Sequence, residues 1–126
     1  MAEAHSKSGT AKTYMYLYGK SNTSNEHLGA CHSAELPYVF HNFNNEKTYG
    51  TIDRTLADNI CEAWVNFAKN GNPSSPAAQW EEYNSDTRLT MLIGDDCSLK
   101  NISDPVKEAR ELLHWCCDKN ISFAGI

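Results

Sequence analysis

One stretch decides how the chain folds and functions, Gly29-Ala30-Cys31-His32-Ser33-Ala34-Glu35-Leu36-Pro37-Tyr38-Val39-Phe40. Its histidine follows a loop of small residues and precedes a short apolar turn that ends in an aromatic residue. Catalytic groups often lie on loops that rigid elements brace. A single histidine beside a packed turn is nevertheless more often a structural hydrogen-bonding residue than a catalyst. On this chemistry alone, the structural role is the better explanation of His32.

The composition of the 126 residues indicates one globular domain with a core of modest size. A net charge of −5 and the absence of a Lys/Arg cluster argue against a nucleic-acid surface. No apolar run approaches a membrane span, and the N-terminal residues lack the hydrophobic core of a signal peptide. The five cysteines form no spaced framework, so reduced thiols are expected. A cytoplasmic location follows if the chain is complete as given; otherwise the location stays open.

Hydrophobic patterns and turn signals predict a mixed α/β chain. In chain order its elements are a buried strand at 13–18, the histidine loop, a long helix from residue 51 or 53 to residue 70, a β-hairpin with strands at 87–93 and 97–101, and a helix from residue 104. The first strand is apolar on both faces, which is typical of a strand covered on both sides. The strand at 87–93 alternates apolar and polar residues, which predicts one exposed face. We expect about three to four residues in the hairpin loop.

Both helices have signals at their ends. The first has a core-facing stripe at helical spacing, formed by Leu56, Ile60, Trp64 and Phe67. Asn70-Gly71 followed by Pro73 is its stop signal. In the second helix, Asp104 is predicted to cap and Pro105 to open the first turn. The ends, 1–11 and 118–126, are predicted to be poorly ordered, although 1–11 could also be the tail of a helix.

The histidine stretch resembles the segment that carries the triad histidine in type-B carboxylesterases and cholinesterases. In that family the pattern is two small residues, His, any two residues, Glu, Leu, Pro, an aromatic residue, Val and Phe. Further signatures of that family occur in the family's order, at Tyr14-Met15-Tyr16-Leu17-Tyr18, at Trp64-Val65-Asn66-Phe67-Ala68-Lys69-Asn70-Gly71-Asn72-Pro73, and at Trp80, Tyr83, Arg88 and Met91. The resemblance covers roughly residues 12–115. The chain therefore resembles the C-terminal portion of an α/β-hydrolase fold.

The resemblance implies roles for two residues. His32 would be the general acid–base of a Ser–Glu/Asp–His triad. Glu35 would support the hydrogen-bond network near the site, although a carboxylate in the first turn of a helix is an equal explanation from the residues alone. The resemblance implies a carboxylic ester as substrate and no cofactor.

The other two triad members have no counterpart in the sequence. The family order is serine, acid, histidine, with the serine in a Gly-x-Ser-x-Gly turn, and the 126 residues contain no such turn. Upstream of His32 the only carboxylates are Glu3 and Glu26, both in unsuitable settings. We therefore expect this chain to be the C-terminal quarter of an esterase. It should be inactive until an N-terminal part completes the active site, which can then bind the ester.

The sequence alone is also compatible with other functions. The chain could be one subunit of a split esterase, or a non-catalytic cholinesterase-like module that dimerises through the helix from Asp104. Histidine and cysteine cluster twice, at His27, Cys31, His32 and His41 and at His114, Cys116 and Cys117. The first spacing fits no zinc motif, and the second set diverges by about 100° per residue around a helix. No metal site is predicted.

Overall fold

The computed structural model describes residues 2–44 and 52–119. Its elements are α1 (Ala2–Ser8), β1 (Tyr16–Tyr18), a 3₁₀ turn (Glu26–Leu28), α2 (Leu36–Val39), α3 (Arg54–Asn70), β2 (Leu89–Ile93), β3 (Leu99–Ser103) and α4 (Lys107–Asp118). The predicted mixed α/β class is confirmed. Residues 1–11 include a helix, which was one of the two alternatives, and most of the predicted tail, 118–126, lies outside the described residues.

The three strands form one sheet in the order β1-β2-β3. β1 runs parallel to β2, with Tyr16 opposite Met91, and β2 runs antiparallel to β3. The prediction of an exposed face on 87–93 is wrong, because Thr90 and Met91 point to opposite faces and both are buried. β2 is the middle strand of the sheet, and Met91 packs on one of its faces against Ala63 of α3 and Trp80.

The hairpin loop is longer than predicted and runs from Gly94 to Ser98, so that β3 begins at Leu99 instead of residue 97. The Gly94 N–H donates to the Ser98 carbonyl at 2.8 Å, and Asp96 Oδ1 accepts from the Ser98 N–H at 3.1 Å. A Cβ at position 94 would lie 2.5 Å from that same Asp96 oxygen. A larger residue at position 94 would therefore displace the Asp96 carboxylate, which helps to close the turn.

β1 is not covered on both sides as predicted. Tyr16 is 38% and Leu17 37% exposed, and the strand is only three residues long. β2 pairs with one edge of β1, whereas no residue in 2–44 or 52–119 pairs with the other edge. An apolar strand of this kind gains its burial from neighbours, and among the described residues β1 has β2 as its one neighbour in the sheet.

α3 begins and ends where its sequence signals predict. The Asp53 carboxylate accepts from the Leu56 N–H at 2.6 Å, which caps the first turn. Gly71 ends the helix in the left-handed conformation, with φ 73°, and its N–H donates to the Phe67 carbonyl at 2.8 Å. The buried face consists of Leu56, Ala57, Ile60 and Ala63. Phe67 departs from the predicted stripe, because it is 49% exposed.

The core consists of two clusters along α3. One contains Tyr38, Ile52, Leu56, Ala57, Ile60 and Ile93. The other contains Ala63, Ala78, Trp80 and Met91. Trp64 and Leu99 pack against both clusters and join them. Because α2 contributes Tyr38 to the first cluster, the core fixes the position of the element that follows His32.

α4 begins at Lys107, so the prediction that Asp104 caps and Pro105 opens it is wrong. The Arg110 guanidinium donates two hydrogen bonds to the Asp104 carboxylate, at 3.3 and 2.6 Å. This charge-assisted pair engages the carboxylate that would otherwise cap the helix. Large apolar residues of this region are exposed: Val106, Leu112, Leu113 and Trp115. Among the residues described, no helix is long and apolar enough to cross a membrane.

α1 is tied to the sheet by Glu3. Its carboxylate accepts from Arg88 at 3.0 Å and from Lys7 at 2.6 Å. Arg88 also donates to the Tyr83 hydroxyl at 3.1 Å. The arginine just before β2 therefore joins the N-terminal helix to the central strand.

We expect Glu3→Gln to remove a pH-dependent contribution to stability. Arg88 and then Lys7 lower the pKa of Glu3 from 4.5 to about 2. Because the pKa is depressed in the folded state, the stabilisation is present above pH 4.5 and is lost as the pH falls toward about 2. Melting temperatures of the parent and the variant will therefore differ slightly at neutral pH and converge in acid. A difference that is constant with pH, or that Glu62→Gln reproduces, contradicts this account.

Candidate active site

His32 lies in a tight turn between the 3₁₀ turn and α2. The Ala34 N–H donates to the Cys31 carbonyl and the Leu36 N–H to the Ser33 carbonyl, each at 3.2 Å. Ser33 adopts a positive φ of 67°, which is uncommon for a residue with a side chain. The His32 side chain is exposed, and within the described ranges its imidazole makes no hydrogen bond. Among the described residues, no hydrogen bond therefore fixes the orientation of this ring.

Asn22 holds the two ends of the preceding loop together. Its N–H donates to the Gly29 carbonyl at 2.9 Å. Its side-chain oxygen accepts from the N–H groups of Ser24 at 2.8 Å and Asn25 at 3.2 Å. Asn22 is buried, so this cluster of bonds is shielded from water. In the sequence, the Asn two residues before Ser is a recognisable signal for this turn.

α2 anchors the other side of the turn. Ala34 and Tyr38 are buried, and the Tyr38 ring lies 5.9 Å from that of Tyr18 on β1. Burial raises the pKa of both tyrosines, so their hydroxyl groups stay neutral beneath the loop. Phe40 does not pack under the turn, because it is 71% exposed. Val39 is partly buried against the core.

Glu35 faces β1. Its Oε1 lies 3.4 Å from the hydroxyl of Tyr16, which can donate to it. Glu35 precedes α2, but its side chain makes no capping hydrogen bond to the helix. The carboxylate interacts with Tyr16 instead. Among the described contacts, the Glu35 carboxylate does not hydrogen-bond to His32. It can therefore fix the position of α2 relative to β1 but does not itself orient the imidazole.

His41 belongs to a separate cluster, which sequence reasoning missed. Its Nε2 lies 2.6 Å from Asp58 Oδ1 on α3, and its ring packs edge-on against Phe43 at 4.6 Å. The guanidinium of Arg54 lies 3.6 Å from the centre of the Phe43 ring. Within 2–44 and 52–119, no three His, Cys, Asp or Glu side chains converge on a point where a metal ion could bind.

Three comparisons relate the chain to known proteins. A model of the carboxylesterase family matches residues 1–110. The para-nitrobenzyl esterase of Bacillus subtilis (strain 168) is 32% identical over 118 residues, which are 90% of this chain and 24% of that protein. The bile salt-activated lipase of Rattus norvegicus is 36% identical over 113 residues, covering 83% of this chain and 18% of that protein. The chain thus spans about a quarter or less of the length of these relatives.

A solved structure shows the same arrangement of elements. A thermophilic PNB esterase superimposes with a TM-score of 0.74 at 31% identity, over 89% of this chain and 23% of that chain. A second PNB esterase structure gives 0.70 at 33% identity with the same coverage. At these identities the similarity extends from the fold to the sequence.

We expect Glu35→Gln to lower the pKa of Tyr16. Burial is the main reason that this pKa is raised, and the negative charge of Glu35 is the next. Removing the charge therefore lowers the pKa without restoring its ordinary value. Ultraviolet titration of the tyrosines measures the shift, with Tyr16→Phe to assign it and Glu81→Gln as the control. An unchanged titration of Tyr16 means that Glu35 does not contact it in solution.

Proposed function

The chain belongs to the carboxylesterase family of α/β-hydrolases, and from this premise we propose that His32 is the general acid–base of a serine esterase site. The substrate is a carboxylic ester. The serine and the acid come from the part of such a domain that this chain does not contain, since its 126 residues hold no Gly-x-Ser-x-Gly turn. The chain is the C-terminal part of that domain and is inactive alone, whether the remainder precedes it in one polypeptide or is a separate subunit.

In this site the imidazole moves one proton in each direction. It takes the proton from the serine hydroxyl as the oxygen attacks the ester carbonyl, which yields a tetrahedral intermediate. It then gives the proton to the departing alcohol, which leaves an acyl-serine. In the second half, the same ring takes a proton from water as the water attacks the acyl group, and returns it to the serine as the acid leaves. Serine needs such a base because its hydroxyl is a weak nucleophile at neutral pH.

One observation supports this role above the others: an exposed imidazole without a hydrogen-bond partner among the described residues stands on a loop that is held at both ends. A general base must approach the hydroxyl to about 2.6–3.2 Å, and errors of about 1 Å cost activity steeply. The Asn22 turn and the buried Tyr38 supply the required rigidity. Glu35 acts as a positioning residue through Tyr16.

The direct experiment is a chimera in which this chain replaces the matching stretch of the Bacillus subtilis para-nitrobenzyl esterase. We expect the chimera to hydrolyse a para-nitrobenzyl ester and His32→Ala to lower kcat by roughly 10⁴- to 10⁶-fold, as removal of a triad histidine does. The melting temperature will change little, because the His32 side chain is exposed.

His27→Ala is the matched control, since His27 is also exposed and lies five residues earlier in the same segment. It will leave kcat unchanged. Activity of the chimera that survives His32→Ala would refute the role of His32. Hydrolysis by the 126-residue chain alone, lost on His32→Ala, would refute the claim that the chain needs its remainder.

A second function is favoured by α4, which we propose as a dimerisation surface. Leu112 and Trp115 are three residues apart and share one face of the helix. Trp115 is 54% exposed. Arg110 and His114 lie on the opposite side of the helix, where they line a hollow together with residues of β1 and β2. The apolar face with Leu112 and Trp115 is thus available to a second copy without disturbing the Arg110–Asp104 ion pair.

We expect light scattering after size-exclusion chromatography to give about twice the mass of the 14.1 kDa monomer at high protein concentration. Trp115→Glu will restore the monomer by placing a charge in the apolar interface. Val65→Glu, at an exposed apolar position on α3, will leave the dimer intact. A parent chain that is monomeric at every concentration, or a dimer that persists in Trp115→Glu, contradicts this function.

A further inference from the structure

We infer that His41 and Asp58 hold α2 against α3 and thereby act as positioning residues for His32. The inference rests on the proposed function, since it concerns how accurately the imidazole is placed for the reaction. We call the contact between these two side chains, together with Phe43 and Arg54, the α2–α3 clamp. The clamp acts through α2, at the end of this helix that lies away from the His32 turn.

α2 is too short to hold its own position. It consists of four residues, Leu36–Val39, and a single helical turn is not stable in water without tertiary contacts. A residue with positive φ lies on each side of it, Ser33 at 67° and His41 at 51°. Residues with a side chain keep such angles where the surrounding structure holds them. The position of α2, and of the His32 turn before it, therefore depends on contacts with other elements.

α2 is held in its middle and on both sides. The Tyr38 ring is buried in the core, but one buried ring leaves the helix free to rotate about it. Before the helix, the Glu35 carboxylate lies 3.4 Å from the hydroxyl of Tyr16. After the helix, His41 Nε2 lies 2.6 Å from Asp58 Oδ1, which is the distance of a strong hydrogen bond to a carboxylate. The shorter contact therefore restrains the rotation of α2 more tightly.

An aromatic ring strengthens the clamp. The His41 ring packs edge-on against Phe43 at 4.6 Å, and the Arg54 guanidinium lies 3.6 Å from the centre of the Phe43 ring. A cation over the face of an aromatic ring is attracted to it. Arg54 and Asp58 are four residues apart on α3 and so share one face of that helix. This face thus holds His41 directly through Asp58 and indirectly through Phe43.

The α3 side of the clamp is firmly fixed. α3 is 17 residues long, and Asp53 caps its first turn. Asp58 follows Ala57, and both Ala57 and Ile60 belong to the fully buried face of the helix. The clamp therefore joins a one-turn helix to a long helix whose position is set by the core.

The clamp should matter more for catalysis than for folding. The side chain of His41 is 46% and that of Asp58 67% exposed, and ion pairs this exposed contribute little to the free energy of unfolding. In contrast, displacement of a catalytic group by about 1 Å can lower a rate by as much as about 100-fold. Variants of the clamp should therefore fold normally and turn over substrate slowly.

The first measurement is steady-state kinetics of the chimera with the Bacillus subtilis esterase. We expect Asp58→Ala to lower kcat about five- to twentyfold and to change KM less than about twofold, because it misplaces the base without removing a substrate contact. Asp58→Asn keeps an oxygen that accepts a hydrogen bond from His41 and should restore most of kcat. Glu62→Ala is the matched control, since Glu62 is an exposed carboxylate one turn further along α3. It will leave kcat unchanged.

Two kinetic results overturn the inference. One is a loss in Asp58→Ala that is no larger than that in Glu62→Ala. The other is a kcat of Asp58→Asn as low as that of Asp58→Ala, because the hydrogen bond to His41 would then not be what positions α2.

A double-mutant cycle tests whether the two residues act through their contact. We expect His41→Ala to lower kcat as much as Asp58→Ala does, and the double variant to lower it no further, because the second substitution removes a contact that is already lost. Losses that multiply in the double variant would mean that the two side chains act independently, which overturns the inference.

The second measurement is hydrogen exchange in the 126-residue chain and needs no activity. The N–H groups of Val39 and Phe40 donate to the carbonyls of Glu35 and Leu36 at 3.0 and 2.9 Å. We expect Asp58→Ala to speed their exchange about three- to tenfold, because α2 opens more often without the clamp. The Gly71 amide at the end of α3 is the internal reference and should not change. Unchanged exchange of the α2 amides overturns the inference.

The two measurements separate this inference from the proposed function. Faster exchange of the α2 amides, with a chimera whose activity does not require His32, would refute the proposed function and leave the anchoring of α2 standing. A His32-dependent activity that Asp58→Ala does not lower would overturn the positioning role alone.

Discussion

The packing of α3 against the sheet and against α2 is the contact on which the rest of the structure depends. Leu56, Ile60 and Ile93 are the fully buried side chains where these elements meet. Truncation of such side chains to alanine typically costs about 2–5 kcal/mol, which is a large fraction of the stability of a small domain. Tyr38 belongs to the same cluster. The position of the turn that carries His32 therefore depends on the packing of this core.

Local signals in the sequence predicted the elements whose ends are determined by nearby residues. Asp53 and Gly71 bound α3 as expected, because a cap requires only neighbours within one turn. Burial was predicted less well, because it depends on strand order. The pattern of 87–93 indicated an exposed face, yet Thr90 is buried in the middle strand. Asp104 had the residue type of a cap, but Arg110 engages its carboxylate.

The residues of the candidate site were likewise predicted only in part from the sequence. His32 and Glu35 were identified through a segment whose pattern resembles that of a known family. The partner of Glu35 is Tyr16, 19 residues away, and the partner of His41 is Asp58, 17 residues away. Such pairs follow no sequence spacing, because tertiary packing brings them together.

The account depends most on His32 serving a serine that another segment supplies. A crystal structure of the chimera with the Bacillus subtilis esterase measures this directly. The account predicts a nitrogen of the His32 ring within about 2.6–3.2 Å of the serine hydroxyl of a Gly-x-Ser-x-Gly turn. A correctly folded chimera in which the imidazole faces solvent, with no serine within reach, would contradict it.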